Sequence, residues 1–87
     1  MSDEWSWHYN PDAEHVVAGL PAEVVAEVER PAEQLAILGH DAAAAGRGPA
    51  HGGGLRTLDV FGGRGFFMYL APERMRVISV VRVVWLG

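Results

Sequence analysis

Eighty-seven residues leave room for one domain, spanning 1–87, with a modest core, since a chain this size buries only roughly 60% of its unfolded surface. The apolar fraction of 49% argues against disorder, and the absence of cysteine excludes a disulfide framework and a thiolate metal site. A net charge of −4 argues against broad nucleic-acid binding. No apolar run approaches the ~20 residues that span a bilayer, and the acidic start Met1-Ser2-Asp3-Glu4 is unlike a secretory signal, so the expected compartment is the cytoplasm.

The first element is a strand. In Glu4-Trp-Ser-Trp-His-Tyr9 the aromatic residues Trp5, Trp7 and Tyr9 alternate with Ser6 and His8, the period-two pattern of a strand with one apolar face. Asn10-Pro11-Asp12 reads as a helix start, with Asn10 as the cap, Pro11 in the first turn and Asp12 against the positive end of the helix dipole. Ala13, Val16, Val17 and Leu20 then form one apolar stripe, and Gly19 weakens the helix end. Pro21 opens a second helix whose expected seam is Val24, Val28, Leu35 and Leu38, flanked by Val25 and Ala32, with Glu23, Glu27 and Arg30 in solvent and Gly39 as the stop. Pro31 falls within that seam, where it removes a backbone hydrogen bond, so the helix either kinks or divides there. Asp41–Gly46 is read as one more helical turn and residues 46–54 as a flexible glycine loop.

The rest reads as a meander. Strands are expected at Leu55–Phe61, Phe66–Leu70 and Met75–Trp85, separated by turns at Gly62–Gly65 and Ala71–Arg74. The last strand is valine-rich enough to be central. Met75, Val77, Ser79, Val81, Val83 and Trp85 are expected to face the helices. Arg76, Ile78, Val80, Arg82, Val84 and Leu86 fall on the opposite face, with Arg76 and Arg82 ~20 Å apart at ~3.3 Å per residue. The predicted class is α+β, β-α-α-β-β-β, with a helical hairpin on one face of a mostly antiparallel sheet.

Few residues carry obvious chemistry. His8, His15, His40 and His51 lack metal-ligand spacing, and neither a metal nor a cofactor is implied. Ser2, Ser6 and Ser79 have no nucleophile-elbow motif around them, and Gly52-Gly53-Gly54 has no phosphate-loop context. The arginines stand out by placement. Residues 1–46 hold nine acids and one base, a balance of −8, whereas residues 47–87 hold six arginines and two acids, a balance of +4. Four guanidinium groups near one open sheet face, those of Arg56, Arg64, Arg76 and Arg82, suit a phosphodiester backbone and the charge that builds up when it is attacked.

This order of elements resembles the RelE/ParE superfamily of bacterial toxins. The local matches are Asn10-Pro11-Asp12-Ala13, Gly19-Leu20-Pro21, Leu55-Arg56-Thr57-Leu58 and Val80-Val81-Arg82-Val83-Val84, which together cover nearly the whole chain. The resemblance implies the toxin half of a type II toxin–antitoxin pair, neutralised by a small antitoxin protein. RelE-like members cut mRNA on the ribosome, ParE-like members poison DNA gyrase, and a degenerate relative acts by protein binding alone. By resemblance, Arg56 and Arg82 stand at basic positions of the family and Arg64 near another, the expected catalytic set, with Arg76 and Tyr69 as binding residues. Where RelE-like nucleases carry an arginine on the third strand, this chain has Phe66 and Phe67. Where they carry basic residues and a tyrosine or histidine after the last strand, it has Trp85-Leu86-Gly87, so Tyr69 is the substitute proton-transfer group provided it faces the arginines.

Overall fold

A computed structural model of the chain describes residues 4–48 and 54–87. Met1, Ser2 and Asp3 of the acidic start, His51, and Gly52-Gly53 of the expected glycine loop lie outside the described residues. The elements in chain order are β1 (Ser6–Tyr9), α1 (Ala13–Val17), α2 (Ala22–Leu38), α3 (Ala42–Ala45), β2 (Arg56–Val60), β3 (Gly65–Leu70) and β4 (Val77–Trp85). Single 3₁₀ turns occupy Gly39–Asp41 and Phe61–Gly63. The strands form one sheet in the order β1-β4-β3-β2, with β1 parallel to β4 and the other pairs antiparallel. This is the expected α+β arrangement, helices on one face of a mostly antiparallel sheet, with valine-rich β4 inside it. Among the described residues no helix is long and apolar enough to cross a membrane.

Helix α1 starts later than expected. Asp12, not Asn10, is the cap: its carboxylate accepts from the His15 amide at 2.9 Å and pairs with His15 Nδ1 at 2.8 Å. Those contacts with His15 hold the Asp12 carboxyl below its ordinary range. Helix α2 runs unbroken through Pro31, and its buried seam is Val24, Val28, Ala32 and Leu35. The expected seam through Pro31 and Leu38 is therefore displaced. Ala32, fully buried, fills the place assigned to residue 31, and its small side chain lets the helix lie close to the sheet. Pro31 sits half-buried on the flank, and Leu38 is 46% exposed.

The faces of β4 are the larger correction. Tyr69 pairs with Val80 and Met68 with Arg82, so Val81 is an extra residue, a β-bulge, on β4. A bulge shifts the alternation by one. Before it, Ile78 and Val80 face the helices and are fully buried, while Val77 and Ser79 turn to the opposite face. After it, Val83 and Trp85 point to the helical side, as expected, and Arg82 and Val84 to the other. Val77 and Val81 are only half-buried, and the expectation that both lie beneath the helices does not hold. Arg76 precedes the strand, at φ +51°, and shares no strand face with Arg82.

The core lies between the α2 seam and the helical side of the sheet, where Phe67, Tyr69, Ile78 and Val80 are fully buried and Val60 nearly so. Trp5, Trp7 and Tyr9 pack against it, as their alternation predicts. Tyr9 also donates to Glu29 Oε2 at 2.9 Å, tying β1 to α2; burial, and then this carboxylate, raise its hydroxyl well above the ordinary range. Gly65 has a packing reason: the Trp85 ring lies over it, and a Cβ there would come within 3.1 Å of that ring and 3.0 Å of the Val84 carbonyl.

Candidate functional site

The bulge and the alternation of β3 build the surface opposite the helices. Buried Gly65, Phe67 and Tyr69 turn inward, so Phe66, Met68 and Leu70 turn outward, joined by Val77 and Val84 of β4 and Thr57 of β2. These side chains are half-buried, and the face they form is largely apolar. Arg82 stands in it opposite Met68. Arg82 is exposed, and among the described residues no carboxylate pairs with it. At the β2 margin of the same face, Arg47 pairs with Asp59, and the Arg47 backbone bridges Thr57.

One further polar group occupies this face. Parallel pairing sets His8 of β1 beside Ser79 of β4, and His8 Nε2 lies 2.8 Å from Ser79 Oγ. Ser79 is 7% exposed, whereas the imidazole reaches solvent. Because Val81 is bulged, Ser79 and Arg82 stand opposite Leu70 and Met68, two positions apart on β3, roughly 7 Å at ~3.3 Å per residue. A histidine with one nitrogen anchored and an edge in solvent is equipped to move protons, and an unpaired guanidinium is equipped to hold an oxyanion. Reading along the chain missed His8 because 71 positions separate it from Ser79. The alternation of β1 placed it on the polar side of its strand, but only the β1–β4 pairing supplies its partner.

The five residues singled out in the sequence do not converge. Arg56 pairs across the sheet with Tyr69 and lies on the helical side, where its Nη2 donates to the Gly46 carbonyl at 2.8 Å. Tyr69 is fully buried and donates its hydroxyl to the Ala42 carbonyl at 2.7 Å. Burial raises its pKa, with nearby Arg56 and the Gly46 amide pulling the other way. Tyr69 therefore faces Arg56, on the side of the sheet away from Arg82. Gly46 permits this packing, since a Cβ at that position would stand 2.6 Å from the Tyr69 hydroxyl oxygen. Arg64 caps the β2–β3 end of the sheet. Its guanidinium lies 5.8 Å from the Trp85 ring centre, and its Nε donates to the Gly87 carbonyl at 3.3 Å. Arg76 closes the opposite end, its carbonyl accepting from the Ser6 amide at 3.3 Å. Of the five, Arg82 alone stands on the open face beside His8 and Ser79. No family model, curated protein or solved structure matches this chain.

Proposed function

We propose that this chain is a RelE/ParE-like toxin component that works by binding, with the open sheet face around Arg82 as its contact surface and a small antitoxin as the competitor for that surface. The observation that carries the reading is the face itself: Phe66, Met68, Leu70, Val77 and Val84 offer apolar area, and Arg82 offers a cation with no internal partner among the described residues. Such a surface suits an amphipathic, acidic segment, which covers the apolar area and pairs with the guanidinium. The order of elements and the two-helix cover support the resemblance on which the toxin reading rests. The separation of Arg56 and Tyr69 from Arg82 favours binding over cutting. Expression of the wild type without an antitoxin is expected to slow bacterial growth. Arg82→Ala is expected to relieve that effect and to weaken antitoxin binding roughly tenfold, about 1.4 kcal/mol. Arg30→Ala, on the helical side, is expected to change neither. A harmless wild type, or equal behaviour of the two variants, removes the basis for the proposal.

His8 supports a second reading, cleavage of an RNA phosphodiester on the same face. His8 would take the 2′-hydroxyl proton as the new O–P bond forms, and Arg82 would balance the charge on phosphorus. The P–O5′ bond would break, with water protonating the leaving oxygen. RNA turnover lost in both His8→Gln and Arg82→Ala, with growth inhibition lost in parallel, selects this reading. Growth inhibition that survives His8→Gln selects binding alone.

A further inference from the structure

A second surface lies at the far end of α2, on the helical side. Glu4, Trp5, Glu33, Ile37, His40 and Asp41 are among the residues around a hollow of about 610 Å³ where α2 ends against β1. Ile37 is 76% exposed and Leu38 46%, adjacent aliphatic side chains left in water at the end of a helix. Around them stand the carboxylates of Glu4, Glu33 and Asp41, and Glu73 of the β3–β4 turn lies 3.4 Å from His40 Nδ1. The last turn of α2 carries no basic residue, so the negative end of a 17-residue helix adds to these charges rather than being offset. A fifth observation concerns Trp5. Its ring packs edge-on to His40 at 5.3 Å and lies against Gly39, and its Nε1–H is buried with no hydrogen-bond partner among the described residues. A buried donor left unmet is unfavourable.

We infer that this end of α2 docks a basic amphipathic helix of a partner protein. Apolar side chains of that helix cover Ile37 and Leu38. Its lysines or arginines meet Glu4, Glu33, Asp41 and the carbonyl end of α2. The charge decides the class of occupant: an acidic segment suited to the Arg82 face is repelled here. The inference is independent of the toxin reading, because it involves neither Arg82 nor the open face.

The test uses the whole 87-residue protein and a designed helical peptide with leucine on one face and lysine on the other. A leucine/glutamate peptide of the same pattern is the control. The lysine peptide is expected to bind and to shift the Trp5 indole N–H resonance and the amides of residues 37–41 in a two-dimensional NMR titration. Ile37→Ser and Glu33→Gln are each expected to weaken binding fivefold or more. Both positions are exposed, so the fold should survive either change. Four outcomes overturn the inference: no binding of the lysine peptide, equal binding of the glutamate peptide, shifts confined to the open sheet face, and binding that ignores Ile37→Ser and vanishes in salt. The last of these would mark diffuse charge attraction only.

Discussion

Tyr69 and Arg56 show how one residue can be identified by type and misjudged by environment. Either, seen in a list, is a reasonable partner for phosphate. In the fold both turn inward, Tyr69 to the Ala42 carbonyl and Arg56 to that of Gly46, and hold the segment after α2 onto the sheet. Tyr69→Phe is accordingly expected to lower stability by about 1–2 kcal/mol, since it deletes one bond and strands a carbonyl, and to leave any activity of the open face intact. The pH dependence has a definite sign. The folded pKa of Tyr69 is raised above the unfolded value near 10.0, so its stabilising contribution is full below that pH and is lost as pH rises through the folded value. Tyr9 acts in the same direction. Denaturant midpoints are expected to fall above pH ~10 in the wild type and to fall less steeply in Tyr69→Phe. His8 is the reverse case. It carries no motif, and its environment on the open face, not its type, makes it a candidate.

At the scale of elements, strands and helices were legible in the alternation of β1, the valine content of β4 and the glycine turns, because those signals are local. Two things were not. Helix α2 could not be resolved at Pro31, since packing against the sheet decides whether a proline is tolerated. The structure keeps one helix, with Pro31 on its flank and the Glu27 carbonyl deprived of the amide of residue 31. Pro31→Ala is therefore expected to stabilise the protein by about 1–3 kcal/mol, the regained helical bond outweighing the added freedom of the unfolded chain; denaturant melts would measure it. Nor could the bulge be read, because a valine run alternates equally well in either phase. It makes an unusual deletion harmless. Removing Val81 brings Val80 and Arg82 together and leaves Ile78, Val80, Val83 and Trp85 all on the helical side. Removing Ser79 instead turns Ile78 outward and forfeits roughly 2–3 kcal/mol of burial. Melts are expected to show the Val81 deletion close to wild type and the Ser79 deletion well below it.

The molecule as a whole has two sides of different character. The balance of −8 in residues 1–46 resides mainly in the helical half, whereas Arg82 stands on the face those helices do not cover. A small sheet with one uncovered, half-apolar face has a surface to offer, and adjacent phenylalanines separate what that face does from what the core does. Phe67 is fully buried beneath the helices, and Phe66, its neighbour in β3, turns to the open side. Phe67→Ala is expected to cost about 3–5 kcal/mol, enough to unfold much of a domain this small, and thereby to abolish every activity at once. Phe66→Ala removes only a half-buried ring and is expected to lower stability by no more than about 1 kcal/mol. If the open face is the contact surface, Phe66→Ala should nevertheless weaken antitoxin binding and relieve growth inhibition to an extent comparable with Arg82→Ala. Thermal melts, binding titrations and growth curves on the two variants measure both effects. A Phe66→Ala protein that folds, binds and inhibits as the wild type does would show that the open sheet face is merely exposed, and the contact surface would have to be sought elsewhere on the molecule.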